Sequence, residues 1–452
     1  MQAMKTTSLR TPVASTQAFS TLRAYVPDRV WDGVSANAVE DAALLIDGPR
    51  IVCVSHTSAV HPEIERIHLP GCTIIPGLID SHVHYYAHSG PSYLAAGVTY
   101  VRDVGNDLDW ILQQRDALSV IGSLGPRLVC CGFALDGSNG LWNHIARRHH
   151  DAESLRASIR EGAARGVDAI KLYAGITPEL MRVGVAEAHA QGKLALAHLN
   201  ETVAEEAIDG GLNEIEHFSR CDVAWRSATP AEDDVLIDRF LKRGAIMNPT
   251  LNVWDRLGRA LEHSFLRDSR REWVHPELLA IWKTIPYRRC EPAKRLRFQA
   301  LMPHLKRFLL RCHERGVDLI AGTDTPFINL IPGFGLHDEL AQYVDAGIPA
   351  VDALRYATSS NARVLGLGER VGRLAPNLDA DFVAVRGNPL ACIDDLAEVR
   401  CVVRKGIQHD ITDLLDAARA GHGQPLTDPI IRDLRAYAAA DMPKYAQKGD
   451  AG

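Results

Sequence analysis

Residues 76–84 read Pro76-Gly77-Leu78-Ile79-Asp80-Ser81-His82-Val83-His84. An apolar run that closes on His-x-His predicts a strand ending in two imidazoles. Side chains at i and i+2 of a strand point to the same side. His82 and His84 can therefore reach one cation. The chain holds 19 histidines, so the weight of this pair depends on where in the fold its strand ends.

Outward from this stretch, between Thr73 and Asp324, short β-rich runs alternate with longer helical patterns, the sign of repeated strand–helix units around a parallel sheet. Strands are predicted at Thr73–Ile79, Thr99–Val104, Arg127–Cys131, Ala169–Tyr173, Leu194–His198, Glu214–Phe218, Ile246–Thr250 and Leu319–Thr323. Helices are predicted at Asp151–Arg165, Pro178–Gln191 and Thr202–Asp209, the second capped by Thr177 with proline at its first position. Eight parallel strands separated by helices predict an α/β fold, a (β/α)8 barrel of TIM type, whose site lies at the C-terminal ends of the strands. Lys171, His198, His217 and Asp324 stand at such ends and complete a ring with His82 and His84. Any one of these histidines is equally well explained as a hydrogen-bonded core side chain. The whole set at strand ends is not.

The flanks differ, because Val39–Val54 and Asp381–Lys405 are short β-branched runs bounded by turn residues, read as one small β-domain built from both ends. From Ile411 the pattern becomes helical and Ala-rich. Fifty Lys and Arg against 56 Asp and Glu leave a formal charge of -6, too mild for an electrostatic claim on nucleic acid or an anionic membrane. No apolar run approaches the roughly 18–20 residues of a membrane span, and the first residues lack a signal-peptide core. A cytoplasmic, homo-oligomeric protein acting on a small molecule is expected. Nine scattered cysteines without a CxxC pair read as reduced thiols.

Further motifs extend the opening stretch: Gly97-Val98-Thr99, Asp103-Val104-Gly105, Gly125-Pro126-Arg127, GVDAIKLYA (166–174), EIEHF (214–218), AGTDTP (321–326) and ATSSNARVLGLGERVGRLAPNLDADFVAV (357–385). Together they make the chain resemble the amidohydrolase superfamily, in its imidazolonepropionase-like and Xaa-Pro-dipeptidase-like branch. The resemblance implies a β-sandwich split between residues 1–72 and 369–410, a barrel over 73–368 with a helical insertion at about 252–315, and a helical tail over 411–452. It also implies a metal-dependent hydrolase. Carried over by position, His82, His84 and Asp324 hold one metal ion, His198 and His217 a second, and carbamylated Lys171 bridges both. A buried neutral lysine amine can add carbon dioxide to become a carbamate. The implied cofactors are two divalent ions, zinc first, with manganese, iron or cobalt as alternatives. The implied reaction is cleavage of an amide-type C–N bond in a dipeptide, N-acyl amino acid, urea or carbamate by a metal-bound hydroxide, Asp324 serving as general base and then acid.

A second chemistry stays open, because His198-Leu199-Asn200-Glu201 has the HxxE spacing of mononuclear deaminase-like relatives. There Glu201 and His217 act on the substrate beside a single metal in a deamination or ring opening. Glu201 fits equally well in the turn before a helix that starts near Thr202, where a carboxylate complements the helix dipole.

Asn252 to Arg315 is too long for a simple strand–helix connection and predicts an inserted helical lid. From Leu251 to Arg315, 15 Lys and Arg face seven Asp and Glu, with Trp254, Trp273, Trp282 and Tyr287 interleaved. A solvated basic face is the plain expectation; a part turned toward the metals favours a substrate with an apolar or aromatic group and a carboxylate. Dipeptidase-like relatives carry Gly-Gly-His after strand three, a glycine pair that is broken in Gly137–His144. His144, and His337 after strand eight, are therefore the weaker candidates for touching substrate.

Overall fold

A computed structural model describes residues 21–439 except 139, 141, 261, 290 and 291. The expected N-terminal half of the β-domain and the expected tail thus fall partly outside the described residues. Strands β1 (Leu22–Val30), β2 (Val39–Glu40), β3 (Ala42–Asp47), β4 (Arg50–His56) and β5 (Glu65–Pro76) come first. They share one eight-stranded sheet with β16 (Phe382–Arg386), β17 (Val399–Arg404) and β18 (Ile407–His409), in the order β18-β17-β16-β5-β1-β3-β4 with β2 on β1. Every pair is antiparallel except β1 with β5. Period-two alternation sorts β3 between two cores: Leu44 and Ile46 pack with Tyr25, Ile74 and Phe382, whereas Ala43 and Leu45 pack with Ala24, Val60 and Ile64.

Between these ends lie two parallel sheets. One contains β6 (Leu78–Val83), β7 (Val98–Asp103) and β8 (Arg127–Cys130), all fully buried. The other contains β9 (Ala134–Asp136), β10 (Ala146–Arg148), β11 (Ala169–Leu172), β12 (Leu194–Ala197), β13 (Glu214–Glu216), β14 (Ile246–Asn248) and β15 (Asp318–Leu319), in the order β10-β9-β11-β12-β13-β14-β15. The fold is mixed α/β with parallel sheets. Backbone hydrogen bonds join the two sheets on either side: Ser81 N–H to Ala321 O at 3.0 Å and His84 N–H to Thr325 O at 2.7 Å, and Asp168 N–H to Cys130 O at 2.8 Å.

The run expected as a single strand at Thr73–Ile79 is divided between two sheets. Thr73–Pro76 ends β5 and pairs with β16, and β6 begins only at Leu78. Gly77 makes the change of sheet sterically possible, since a Cβ there would lie 2.3 Å from Thr99 Oγ1. Both strands are buried, so their apolar residues run on without a break and hydrophobicity does not mark the junction. β9 and β10 are additions to the expected set.

Asp151 and Thr177 cap Ala152–Ala164 and Pro178–Ala190 by accepting from Ser154 and Leu180 N–H, as their sequence signals require. The third predicted helix starts at Ala204 instead of Thr202. Between β14 and β15 the chain forms helices Leu251–Arg259, His263–Leu266, Pro276–Arg289 and Pro292–Arg315. Helices Ile411–Ala420 and Pro429–Ala439 follow the last strand. Among the described residues, no helix is long and apolar enough to cross a membrane.

Candidate metal centre

Buried strand β6 carries His82 at the penultimate position and delivers His84 just beyond its end. Asp80, on the same strand, accepts from Thr323 Oγ1–H at 2.7 Å and from the N–H of Thr323 at 3.1 Å and His82 at 3.2 Å, tying β6 to the segment that holds Asp324. Asp324 Oδ1 lies 3.3 Å from His82 Nε2 and 3.4 Å from His84 Nε2. One donor atom from each of the three residues falls within 4.8 Å of the others. His84 Nδ1–H donates to Gly105 O at 2.8 Å, which leaves Nε2 with its lone pair toward Asp324. His82 Nδ1 meets Glu216 Oε2 at 2.6 Å, so this ring too is oriented from outside.

The ring of His198 stands 4.8 Å from that of His217, which stands 4.6 Å from that of His82. All four histidines and Asp324 line one cavity of about 320 Å³. Burial pushes His198 down to about 3 and His217 well below the ordinary histidine value, assisted by the positive charges of Lys171 and His82. Both rings are therefore neutral and keep a lone pair for a metal. Burial opposes charge on Asp324 as well, but the hydrogen bond and positive charge of His82 outweigh it and hold the carboxyl well below its usual range. Between Glu216 and Asp324, His82 is held above the ordinary value despite burial. A proton on its Nε2 and a metal ion compete for the same place.

His217 and Asp324 adopt left-handed φ of 63° and 65°. Such backbone costs on the order of 1–3 kcal/mol at a non-glycine residue and is typical of functional positions.

Lys171 stands on β11, buried, with Nζ 3.6 Å from Glu216 Oε1. Neither atom has a hydrogen-bond partner among the described residues. An unpartnered buried amine beside histidines and carboxylates is the setting in which a metal bridge would complete the polar accounting. The donor set, two neutral histidines beyond a His-His-Asp cluster, fits divalent ions of the zinc type.

The structure does not bring the remaining candidates to this cavity. Glu201 is exposed and its backbone N–H donates to Ala174 O at 3.1 Å; Asn200 lines the cavity instead. His144, expected near substrate, turns to Asp433, with Nδ1 2.8 Å from Oδ1. His337, the other weak candidate, is buried in helix Phe334–Asp345 and donates from Nε2 to Ala96 O at 2.8 Å. Both satisfy local polar partners, a need that spacing alone does not reveal.

Trp254, named among the aromatics of the insertion, lines the cavity; reading from the sequence missed Glu216, Lys294 and the cavity-facing residues of the last helix, Ile430, Leu434 and Tyr437. A signal for Glu216 did exist. Glu214 and Glu216 alternate on a strand too apolar in its surroundings to leave a carboxylate unpaired. In the structure Glu214 meets Arg102 with both oxygens, and Glu216 meets His82.

The amidohydrolase family profile matches residues 73–408. A comparison with curated sequences gave no match. Among solved structures, a Xaa-Pro dipeptidase with bound methionine is 20% identical at a TM-score of 0.67, covering 86% of this chain and 100% of that one. A bottromycin amidohydrolase is 22% identical at 0.71 over 90% and 91% of the two chains. Ochratoxinase of A. niger is 18% identical at 0.66, over 86% and 96%. At these identities the structural likeness concerns the fold, whereas the family match spans most of the chain and every residue of the histidine cluster. The chain belongs to the amidohydrolase family and is a hydrolase of carbon–nitrogen bonds.

Proposed function

We propose that this enzyme cleaves an amide-type C–N bond of a small molecule, as in a dipeptide, N-acyl amino acid, urea or carbamate, at a centre of two divalent metal ions. The observation that carries the proposal is the convergence of His82 Nε2, His84 Nε2 and Asp324 Oδ1 on the floor of the cavity. His82, His84 and Asp324 are assigned to one ion and His198 and His217 to the other, with carbamylated Lys171 between them. The neutrality of His198 and His217 and the unpartnered Lys171 Nζ support this assignment. Bound divalent ions supply Lewis acidity toward a carbonyl and bring the pKa of a water molecule toward neutrality. Asp324, ionised at neutral pH and facing both histidines, takes the proton of the attacking water and returns it to the leaving nitrogen. Glu216 and the Gly105 carbonyl hold His82 and His84 in the ring orientation that keeps Nε2 turned inward.

The two parallel sheets are read as one (β/α)8 barrel over residues 73–368, with the insertion near 252–315 as its lid. Residues 1–72 and 369–410 are read as a β-sandwich and 411–452 as a tail. The hydrogen bonds across both seams support the barrel.

Metal analysis of the purified chain tests the proposal. Expected are about two equivalents per chain, activity lost with a chelator and restored by zinc or manganese, and loss of most metal in Lys171→Ala. Full activity after exhaustive chelation would overturn it, and a fully active Lys171→Ala enzyme would remove the bridge.

A further inference from the structure

The upper walls of the cavity come from segments far apart in sequence. Trp254 and Leu257 belong to helix Leu251–Arg259, Phe327 to the turn after Asp324, and Leu434 and Tyr437 to the last helix. Their aromatic rings are fixed before any ligand arrives. Trp254 Nε1–H donates to His217 O at 3.2 Å, and its ring packs edge-on against Trp225 at 4.6 Å. Elsewhere in the lining Trp142 Nε1–H donates to the Tyr173 hydroxyl at 2.9 Å, and its ring lies 5.4 Å from that of Tyr437. Preorganised apolar walls favour a ligand with a bulky apolar group, because little side-chain ordering is charged against binding.

The charge of these walls is narrower than the composition of the insertion implies. Arg256 and Arg270 pair with Asp338, Arg307 with Asp233, Arg311 with Asp234, Arg315 with Asp234 and Asp238, and Lys306 with Asp345. Among the described Lys and Arg side chains, Lys294 is the one that lines the cavity. It stands four residues before Phe298 on helix Pro292–Arg315, and Phe298 packs on Trp254 with ring centroids 5.6 Å apart. Residues at i and i+4 share a helix face, so Lys294 lies on the same face of its helix as the Phe298 that packs on Trp254. A lone ammonium is a point charge that matches one carboxylate; a phosphoryl group draws on several donors or on a guanidinium fork.

We propose that Lys294 is a specificity-determining residue that receives a carboxylate of the substrate, and that the substrate class is N-acyl amino acids with a bulky apolar or aromatic group lying between the Trp254 wall and the Leu434–Tyr437 wall. The proposal rests on the hydrolase reading above for the position of the scissile bond.

The test uses the full chain and three probes: N-benzoyl-L-phenylalanine, its methylamide and N-acetylglycine. Turnover is followed in the metal-loaded enzyme. Binding is followed by tryptophan fluorescence in the metal-free chain, so that one readout does not depend on catalysis. Expected is a KM for N-benzoyl-phenylalanine about tenfold or more below that for N-acetylglycine. Lys294→Met should raise the KM and Kd of the acid about tenfold relative to those of the methylamide, and Lys294→Glu should raise them further. Turnover without any Lys294-dependent difference between acid and methylamide overturns the subsite and leaves the hydrolase reading standing. Lys294-dependent binding without turnover of any probe supports the subsite and counts against the hydrolase reading. Absence of both binding and turnover overturns the proposed substrate class.

Discussion

Glu216 touches the candidate centre at two points, holding His82 Nδ1 at 2.6 Å and standing 3.6 Å from Lys171 Nζ, and it has no exposure to solvent. Glu216→Gln keeps the shape and removes the charge. Metal affinity should fall roughly 10–100-fold, measured by competition with a chromophoric chelator, while circular dichroism stays unchanged; unaltered affinity would show that Glu216 does not support the ligand. His337 provides a pH-dependent prediction remote from that centre. Burial lowers it to about 4 even though its bond to Ala96 O favours the charged form. As pH falls below about 6.5 the unfolded chain takes up a proton that the folded chain refuses, so stability present above that pH is lost between about 6.5 and 4. For a displacement of this size the loss is on the order of 3 kcal/mol. Urea unfolding at several pH values should show a shallower slope in His337→Gln across that window, and identical slopes would sink the assignment. That His82, His84, His198, His217 and Asp324 share one cavity was legible because strand alternation and strand ends are written locally. Glu216 and Lys294 were not, since their roles depend on partners distant in sequence.

The last helix, Pro429–Ala439, contributes to the cavity and also clamps the loop opposite. Buried Asp433 accepts from the backbone N–H of Asn143 at 3.1 Å, His144 at 2.9 Å and Ile145 at 3.0 Å. Asp433→Ala leaves those three donors without their acceptor, at about 1–3 kcal/mol for each that water does not reach. We expect faster limited proteolysis within residues 137–145 and a KM that rises more than kcat falls, with bound metal unchanged. Equal proteolysis rates in variant and parent would show that the helix does not hold the loop. Helix existence was legible here from the Ala-rich periodicity. Its docking site was not, because periodicity specifies a buried stripe without naming the surface that covers it.

Arg127, on β8, meets both Asp379 and Asp381 in the segment leading to β16. All three side chains are buried, so this contact locks the sheet of the chain ends to the parallel sheets. Arg127→Met removes the cation and leaves buried Asp381 without its guanidinium, while Asp379 keeps Arg50 at 2.8 Å. The expected loss is about 3–5 kcal/mol, with calorimetry resolving two transitions in place of one; a single transition at the parental temperature would contradict the lock. Alternating strand and helix patterns made the parallel α/β class legible, as did the pairing of both ends in one β-unit. The border between sheets at Gly77 escaped, since apolar residues continue through it on both sides.

Strand β5, set between β1 and β16, also has a consequence for the chain during synthesis. Its second neighbour emerges from the ribosome roughly 300 residues later, on the order of 15–60 s at ~5–20 residues per second. Throughout that interval the nascent protein presents Cys72–Pro76 as an open strand edge, the kind of surface that recruits other chains. A version ended at residue 370 retains every candidate metal ligand and still lacks β16. In sedimentation it should run as aggregate or bound to chaperone, whereas a monodisperse monomer would show that the edge is protected by other means.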